Sequence, residues 1–451
     1  MRQPFPYQAR AFRDTARAVS NGNRSVLLVG PCGMGKTTLG GMFVDGALRK
    51  GNRALWMAHR RELVDQAYST LTDELGIPKN EVCVLKGGTR NAYDFSKHVV
   101  VASTGTMLVA QELPPAQIVL FDEAHHYMAE EWFRVALPYE KSIRIGLTAT
   151  PARADGQGLG DLFSELIVVA TPQELIDMGR LVECDIIHPG GKMRSRELAD
   201  DPVGAYLRYA AGTSALTFCI DVEHGKEVNA QYNAAGVPSA FVDGSTPKAE
   251  RDRAINAFRA GHIKSLVNVF VLTEGTDLPI AQTCVLARPA ANVNTYLQIG
   301  GRVMRAYPGK DRALLIDLCG SSAKHGLLEM TREFSLEGEG IRMPSDVPPL
   351  CQCPVCGMIY RPATKCPRCN SQVRKPIIIN PTPLTPMERE ALREERRTKT
   401  SDAEKQKHFD FLCREARARK YKHGWIANRY HGRFGEWPNG MIESDESRRA
   451  A

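Results

Sequence analysis

The octapeptide at residues 30–37 constrains the possible fold of this chain more than any other feature. Its sequence is Gly-Pro-Cys-Gly-Met-Gly-Lys-Thr. It matches the pattern G-x-x-x-x-G-K-[ST] of a phosphate loop, which requires a strand before it and a helix after it. The apolar run 26–29 supplies the strand, and a helical pattern follows the loop. Glycines let backbone N–H groups wrap a phosphate, and the helix N-terminus favours its negative charge. The pattern therefore predicts an α/β domain with a nucleoside triphosphate site.

Two acidic residues about ninety positions downstream complete the predicted site. Lys36 is expected to reach the β- and γ-phosphates, and the Thr37 hydroxyl to hold Mg²⁺. The apolar run 118–121 ends in Asp122 and Glu123, which places two carboxylates at the carboxyl end of a strand, where open α/β sheets bind ligands. Asp122 is suited to holding Mg²⁺, and Glu123 to polarising the attacking water. A chance glycine turn and a helix cap at Asp122 are the alternatives.

Length and composition place the chain among ordinary globular proteins. Its 451 residues are enough for about three domains, each with its own core. Hydrophobic residues make up 43% and charged residues 24% of the chain, which is typical of such domains. The N-terminus lacks the apolar segment of a signal peptide, and no window approaches the length of a membrane-spanning helix. We therefore expect a cytoplasmic protein that does not bind membranes.

Strand-like apolar runs alternate with helical patterns twice, and each alternation predicts a parallel sheet covered on both faces. The runs of the first half are 26–30, 53–58, 98–103, 117–121 and 143–147. Those of the second half are 215–220, 239–243, 265–270, 283–287 and 313–318, with helical patterns at 222–235, 247–260 and 293–305. The capping box Thr171-Pro172-Gln173-Glu174 opens a helix between the halves. The sequence thus predicts two α/β domains, at 1–170 and 171–336.

Proline-rich segments separate smaller regions beyond the second half. Three prolines predict a linker at 337–350, and a second proline-rich run predicts a stiff, extended connector at 376–387. A cysteine-rich segment, 351–375, lies between the two linkers, and a basic, mostly helical region, 388–451, follows them.

The cysteine-rich segment has the spacing of a zinc ribbon. Its two C-x-x-C pairs, Cys353 with Cys356 and Cys366 with Cys369, are nine residues apart. Two such pairs can complete a tetrahedral S₄ site for Zn²⁺, which stabilises a segment too short to bury a core. Redox C-x-x-C chemistry is the alternative, but it expects a single pair near a βαβ unit. Cys351 is either a spare thiol or a replacement for Cys353.

The net charge of +8 is concentrated in the C-terminal region. From Cys351 onward there are 21 Lys and Arg against 12 Asp and Glu, whereas the first 350 residues carry 38 against 39. Such a surplus suits contact with phosphates, and a merely solubilising tail is the alternative. Aromatic rings among the bases suit stacking on nucleobases, although a small helical core with a basic surface explains them equally well. The bases are Arg414, Arg417, Arg419, Lys420, Lys422, Arg429 and Arg433, and the rings are Tyr421, Trp425, Tyr430, Phe434 and Trp437.

With the phosphate loop and Asp-Glu-Ala-His at 122–125 in one domain, the chain resembles the superfamily 2 helicases and translocases. The resemblance covers roughly residues 2–320 and implies two tandem RecA-like domains. Gln298, and the Ala124-His125 that ends the acidic motif, distinguish the chain from the RNA-type DEAD-box branch. The chain is more similar to the restriction-translocase and repair-type branch, which includes compact phage-encoded helicases. The remaining matching segments are 7–8, 58–63, 101–104, 147–151, 216–219, 272–279 and 298–305.

The resemblance also implies roles for individual residues. Arg302 and Arg305, three residues apart, are expected to share one helix face and to reach across a cleft to the γ-phosphate. They join Glu123 and Gln298 as the expected catalytic residues. The expected ATP contacts are Gln8, which would read adenine, with Gly33, Met34, Gly35, Lys36, Thr37, Thr38, Gly275 and Asp277. The expected nucleic-acid contacts are His59, Arg60, Ser103, Thr104 and Thr273.

Together these features predict an ATP-dependent helicase or translocase that acts on DNA rather than RNA, with ATP and Mg²⁺ between the lobes. One alternative is a motor that translocates on duplex and remodels it without separating strands, because the segment 180–214 holds no obvious strand-separating domain. The other is a recruitment module whose zinc ribbon and basic tail matter more than its ATPase. Replication or repair proteins are the expected partners of the C-terminal region.

Overall fold

A computed structural model describes residues 3–87, 94, 96–110, 112–128, 130–153, 156–189, 198, 200–272, 277–338, 340–344, 348–373 and 377–379, with scattered positions between 405 and 442. The chain divides into two compact units, Met1–Thr382 and Pro383–Ala451. The first unit contains two α/β lobes and the cysteine-rich segment. Thr273 and Gly275, two of the predicted site residues, lie outside the described residues.

The first lobe, lobe 1, is built on a seven-stranded, wholly parallel sheet. Its strands are β1 (Ser25–Val29), β2 (Ala54–Ala58), β3 (Val82–Leu85), β4 (Val99–Ser103), β5 (Ile118–Asp122), β6 (Ile143–Thr148) and β7 (Glu165–Val168). They lie in the order β3-β4-β2-β5-β6-β1-β7. The helices are α1 (Pro6–Ser20), α2 (Lys36–Leu48), α3 (Arg61–Ser69), α4 (Thr104–Leu108) and α5 (Glu130–Ala136).

The five apolar runs of the first half all form central strands of this sheet. Strands β1, β2, β4 and β5 are buried along their whole length, as expected of a parallel sheet with helices on both faces. The sequence did not predict β3 and β7, which are four residues long and lie at the two edges. Their runs, Val-Cys-Val-Leu in β3 and Glu-Leu-Ile-Val in β7, are largely apolar but only four residues long, which is too short to identify a strand by pattern alone.

The second lobe, lobe 2, repeats this architecture with six parallel strands. They are β8 (Glu183–Ile187), β9 (Ala215–Cys219), β10 (Ser239–Val242), β11 (Ser265–Asn268), β12 (Thr283–Ala287) and β13 (Arg312–Asp317), in the order β10-β11-β9-β12-β13-β8. The helices are α6 (Pro172–Asp177), α7 (Pro202–Ala210), α8 (Val222–Ala234), α9 (Lys248–Arg259), α10 (Val293–Val303) and α11 (Ser321–His325).

Helix α6 begins where the capping box predicted, but only half of the box forms. The Thr171 hydroxyl accepts from the Glu174 backbone N–H at 3.1 Å. The Glu174 carboxylate, however, pairs with Arg10 of α1 at 3.0 Å instead of turning back to the backbone of Thr171. A full charge therefore outcompetes a backbone N–H for the carboxylate.

The linker predicted at 337–350 is in part a hairpin that packs on lobe 1. Strands β14 (Glu333–Phe334) and β15 (Ile341–Arg342) pair in an antiparallel arrangement. The N–H groups of Gly158 and Gly160 donate to the carbonyl oxygens of Gly338 and Leu336, at 2.9 and 2.7 Å. A Cβ on Gly158 would lie 2.1 Å from the Leu336 oxygen. The prolines that predicted a linker do not predict this contact, because it depends on Gly158 and Gly160, which are distant in the sequence.

The cysteine-rich segment extends the sheet of lobe 2. Its strands are β16 (Leu350–Gln352) and β17 (Met358–Tyr360), and β17 pairs antiparallel with β8. The described part of the predicted connector, 376–387, is a third strand, β18 (Ile377–Ile379), which pairs antiparallel with β16 instead of forming a free linker. The Gln352 amide donates to the His188 carbonyl oxygen at 2.9 Å, and the His188 N–H donates to Gly357 at 3.0 Å. The segment is therefore joined to lobe 2 through shared backbone hydrogen bonds.

The second unit has a small core among its described positions. Phe409, Leu412, Cys413 and Tyr430 are buried together, and the Phe409 and Tyr430 rings meet edge to face at 6.0 Å. Tyr430 is therefore a core residue, which agrees with the alternative of a small helical core for this ring. Trp437 is 51% exposed. The other predicted rings, and all the predicted bases except Arg417, lie outside the described residues.

The described helices include none that combines the length and the apolar character needed to cross a bilayer.

Two glycines of α2 make a matched test of how tightly this helix packs. A Cβ on Gly40 would lie 2.5 Å from the buried Trp56 ring and 2.9 Å from Leu147, whereas a Cβ on Gly46 would meet Phe12 at 3.4 Å. Gly40→Ala should lower the free energy of unfolding by about 1–3 kcal/mol through overpacking. Gly46→Ala should leave it unchanged or raise it by about 0.5–1 kcal/mol, because alanine is the better helix former.

Denaturant unfolding of both variants measures the difference. Equal stability of the two variants would contradict the close approach of α2 to β2.

Candidate nucleotide site and cysteine cluster

The phosphate loop, residues 30–37, connects β1 to α2, and two of its glycines hold left-handed conformations. Gly33 has φ +99° and Gly35 has φ +75°. A Cβ on Gly35 would also lie 2.7 Å from the Gln8 amide nitrogen, so that glycine fits there for two reasons. Helix α2 begins at Lys36, and the unpaired N–H groups of its first turn favour an anion.

Gln8 joins the first helix to the phosphate loop. Its side-chain oxygen accepts from the Phe5 N–H at 3.0 Å, and its amide donates to the Met34 carbonyl oxygen at 3.1 Å. The Tyr7 hydroxyl donates to the same oxygen at 3.1 Å. Gln8 would have to exchange one of these bonds to contact an adenine. The buried Met34 side chain packs against Gly30, which leaves only the Met34 backbone for a nucleotide.

Three charged side chains are buried beside the loop. Lys36 donates to the Glu123 carboxylate, and the Asp122 carboxylate accepts from the Glu123 N–H at 3.1 Å. Burial and the adjacent Glu123 raise the pKa of Asp122 to about 7. Burial alone would lower the pKa of Lys36, yet the two carboxylates leave it raised. The ammonium thus faces two carboxyl groups, and a divalent cation held by Asp122 and Thr37 would favour the ionised form of Asp122.

The backbone at Glu123 is strained. Its φ is +50°, a left-handed conformation that, among the described non-glycine residues, only Phe270 and Asn370 share. Strain of this kind persists where the surrounding structure enforces it, and it concentrates at functional sites. The strand β5 ends at Asp122, and the turn that follows aims the Glu123 carboxylate at Lys36.

A cavity of about 340 Å³ opens in front of these charges, between the two lobes. Its size is within the range of small-ligand sites. Both lobes contribute to its walls, so that a ligand filling it would contact both. Of the predicted residues it is lined by Gly33, Gly35, Lys36, Thr37, Thr38, Asp122 and Glu123 from lobe 1 and by Asp277, Arg302 and Arg305 from lobe 2.

The two arginines reach the cavity in different ways. Arg302 lies buried in the last turn of α10. Arg305 follows the end of the helix at Val303, so the predicted common helix face is wrong; its backbone instead forms a bridge with Leu181. The Arg305 guanidinium bonds to the Asp277 carboxylate, and burial lowers its pKa. The helix ends early because the chain turns back to pair with the segment that enters lobe 2.

Lys310, which the sequence did not single out, fixes the backbone around Arg305. It is 5% exposed, and its ammonium donates to the carbonyl oxygens of Pro279, Ala281 and Arg305 at 3.2, 2.7 and 2.8 Å. Burial lowers the pKa of Lys310 to about 8. A lysine among other charged residues has no sequence pattern that foretells burial, so only the tertiary structure identifies this role.

Side chains of α10 cross the cleft to lobe 1. The Gln298 amide nitrogen lies 3.4 Å from His125 Nε2, and His125 Nδ1 lies 3.0 Å from Thr148 Oγ1. The Asn294 amide donates to the Ala152 carbonyl oxygen at 2.8 Å. Because an amide NH₂ can only donate, this orientation assigns the His125 proton to Nδ1. Gln298 therefore contacts the histidine next to the carboxylates and not the lining of the cavity.

The predicted nucleic-acid residues of lobe 1 divide into two groups. The Arg60 guanidinium reaches lobe 2 and donates to the Val271 carbonyl oxygen at 3.5 Å, and the His59 ring packs 4.2 Å from the His126 ring. Ser103 caps α4, and the buried Thr104 hydroxyl bonds to Tyr127 at 2.8 Å. The side chains of Ser103 and Thr104 thus serve the fold, and only their backbone is left for a strand.

Arg180 is a second residue that sequence reasoning missed. It lies between α6 and β8, lines the cavity, and places its guanidinium 4.5 Å from the centre of the Phe5 ring. The Ala306 N–H donates to the Arg180 carbonyl oxygen at 3.3 Å. The residue therefore contacts both the start of α1 and the segment that carries Arg305. Its only sequence signal is its position near the boundary between the halves.

The four predicted zinc ligands lie together. The sulfur atoms of Cys353, Cys356, Cys366 and Cys369 are all within 4.8 Å of one another. The distance is 3.6 Å between the sulfurs of Cys353 and Cys369 and also between those of Cys356 and Cys366. A tetrahedral ion with Zn–S bonds of about 2.3 Å separates its sulfurs by about 3.8 Å, so the cluster fits Zn²⁺. Cys351 is buried in β16, outside the cluster, and it does not replace Cys353.

Two family descriptions match the chain, one for each lobe. Residues 2–153 match "Type III restriction enzyme, res subunit", and residues 201–307 match "Helicase conserved C-terminal domain". The two matches include every predicted residue around the cavity.

Individual relatives cover most of the two lobes. The chain is 28% identical over 361 residues to a "51.5 kDa protein" of a Lactococcus phage, covering 74% of this chain and 75% of that protein. It is 29% identical over 346 residues to irc3 of Schizosaccharomyces pombe, which carries the name of a mitochondrial ATP-dependent helicase; 70% of this chain and 57% of irc3 are covered. In fold it is similar to the ATP-dependent Type ISP restriction-modification enzyme LlaBIII bound to DNA, with a TM-score of 0.54 and 18% identity. The match covers 70% of this chain and 28% of the LlaBIII chain.

The cysteine cluster leads to a metal prediction. The purified chain should contain one zinc per protein, which the double variant Cys356→Ser/Cys369→Ser should lose, because two of four thiolates are removed. The same variant should unfold at a lower temperature, since β17 pairs with β8 of lobe 2. Metal analysis and thermal unfolding measure both effects.

Cys319→Ser is the matched control, because Cys319 lies in lobe 2 outside the cluster. It should retain the zinc. Two zincs per chain, iron, or no metal under reducing conditions would contradict the S₄ site.

Proposed function

Since the chain belongs to the superfamily 2 helicases and translocases, which hydrolyse ATP, we propose that it couples ATP hydrolysis between its lobes to movement along DNA. The observation that carries this proposal is the shared cavity. The phosphate loop of lobe 1 and the arginines 302 and 305 of lobe 2 line the same space of about 340 Å³. Hydrolysis in such a site depends on how closely the lobes approach, so the nucleotide can control the distance between them.

The buried ion pair suggests how the site is loaded. Lys36 bonds to Glu123, and the γ-phosphate would compete for the same ammonium. Once Lys36 turns to the phosphates, Glu123 is released to orient and polarise the attacking water. Mg²⁺, held by Asp122 and Thr37, would supply the charge that neutralises the phosphate oxygens. Arg305 would leave Asp277 to stabilise the charge that develops on the γ-phosphate.

The contacts across the cleft would transmit the change. Gln298 reaches His125, two residues from Glu123, and Asn294 bonds to Ala152. These bonds form only when α10 lies against lobe 1. Opening the lobes after hydrolysis would break them, and closing on ATP would restore them, which makes the two lobes step alternately along a bound strand.

DNA as the substrate rests on weaker support than ATP hydrolysis. The similar fold of LlaBIII is bound to DNA, and the family description of lobe 1 names a restriction enzyme. The basic C-terminal region would add sequence-independent, salt-sensitive contacts to phosphates. A duplex translocase that remodels without unwinding remains the principal alternative, and a zinc and basic-tail recruitment module with a secondary ATPase is the other.

Nucleic-acid stimulation of the ATPase tests this proposal. Rates measured with no nucleic acid, single-stranded DNA, duplex DNA, forked DNA and RNA should rise most with DNA, because binding across both lobes favours their closure. Unwinding of the fork would favour a helicase, and stimulation by duplex without unwinding would favour the remodelling motor. A rate that none of the polymers changes would favour the recruitment module.

Glu123 and Lys36 should fail in different ways when replaced. Glu123→Gln should retain ATP binding but lower turnover by about 10²–10⁴-fold, the usual contribution of a positioned base. Lys36→Ala should lower both ATP affinity and turnover, because the phosphates lose their cation. Nucleotide binding and steady-state hydrolysis, measured on both variants, separate the two effects. Near-normal hydrolysis by Glu123→Gln would contradict the role given to the carboxylate.

A further inference from the structure

Phe270 presents its side chain in an unusual way. It has φ +59°, a left-handed conformation that is rare for a bulky side chain. Its side chain is 54% exposed, although a phenylalanine is ordinarily buried. Neither the backbone strain nor the exposed ring helps lobe 2 to fold, and strained residues of this kind concentrate at functional sites.

An arginine supports one face of the ring. The Arg288 guanidinium lies 3.6 Å from the ring centre of Phe270, a cation–π distance. Within the part of the chain that the structure describes, the buried Nε and Nη1 atoms of that guanidinium have no hydrogen-bond acceptor. The cation–π contact therefore couples the orientation of the Phe270 ring to that of the guanidinium.

The pair lies at the carboxyl edge of the lobe 2 sheet. Asn268 of β11 pairs with Phe218 of β9, and Cys219 of β9 pairs with Ala287 of β12. Continuing the two pairings toward the carboxyl ends of the strands places Phe270 beside Ile220 and Ile220 beside Arg288. The three residues therefore lie side by side just beyond three neighbouring strands. Ile220 is 46% exposed. Ligands of open α/β sheets bind at this edge, and here the edge presents flat apolar surface.

The same place adjoins the contact between the lobes. The Arg60 guanidinium of lobe 1 donates to the carbonyl oxygen of Val271, the residue after Phe270. Arg60 is one of the residues expected to follow a nucleic-acid backbone. A strand held by Arg60 would therefore pass directly beside the Phe270 ring as it crosses from lobe 1 to lobe 2.

We propose that Phe270, supported by Arg288, is a stacking platform for one base of the bound strand at the crossing between the lobes. This inference rests on the proposed function. The ring offers no hydrogen-bonding groups, so the contact would accept any base, as expected for a motor that does not select sequence. The left-handed backbone directs the ring outward where a relaxed one would allow it to pack inward.

Phe270→Gly tests the proposal, because glycine adopts this φ without strain. The variant should unfold at the same temperature as the wild type or higher, while its affinity for a fluorescein-labelled single-stranded oligonucleotide falls about 5- to 150-fold, the range of one base stack. The dependence of affinity on salt should not change, since no phosphate contact is lost. Phe270→Tyr, which keeps a ring, should restore binding.

Leu207→Ala is the matched control, because Leu207 is 43% exposed on α7 of the same lobe, away from the strand ends. It should bind the oligonucleotide like the wild type. Equal binding by Phe270→Gly and the wild type would overturn the proposal. A fall in affinity with a shallower salt dependence would also overturn it, because it would indicate a phosphate contact. Failure of the wild-type chain to bind any oligonucleotide would instead refute the proposed function.

Discussion

The buried charges at the carboxyl edge of the lobe 1 sheet are the constraint on which the rest of the site depends. One ammonium, Lys36, lies against two carboxyl groups, Asp122 and Glu123, whose side chains are mostly buried at the wall of the cavity. Unbalanced buried charge is costly. A bound divalent cation would offset the two carboxyl groups, and Lys36 with the arginines of lobe 2 would offset the phosphates. The carboxyl groups can hold the metal ion of a bound nucleotide. The arginines of lobe 2 supply positive charge that its phosphates need and that lobe 1 alone does not provide.

Strained backbone follows a buried strand in each lobe. Glu123 follows β5 of lobe 1, and Phe270 follows β11 of lobe 2 by two residues. Each side chain is directed out of the carboxyl edge of its sheet, one toward the nucleotide cavity and the other toward the surface beside Arg60. Each lobe thus places a left-handed residue shortly after a buried strand, although β5 and β11 occupy different positions in their sheets.

A zinc ion in the cysteine-rich segment would stabilise part of lobe 2. Because β17 pairs with β8, the metal would stabilise a continuation of the lobe 2 sheet rather than a tethered module. β8 begins two residues after Leu181, which pairs with Arg305. The strand that the ribbon covers therefore belongs to the same segment that positions the arginine. The ribbon also replaces the five-residue β8 at the edge of the sheet with the three-residue β18.

The sequence by itself determined the two parallel sheets, the phosphate loop, the carboxylates and the four cysteines, because each depends on residues close together in the chain or on continuous apolar runs. It did not predict β3 and β7, whose apolar runs are only four residues long, or β8, whose run contains two charged residues. It also did not predict the end of α10 before Arg305. Only the tertiary structure decided that Thr104 is buried, that Lys310 holds Arg305, and that the ribbon joins lobe 2. Those features arise from contacts between distant segments, and the burial of a polar side chain depends on the partners that folding brings to it.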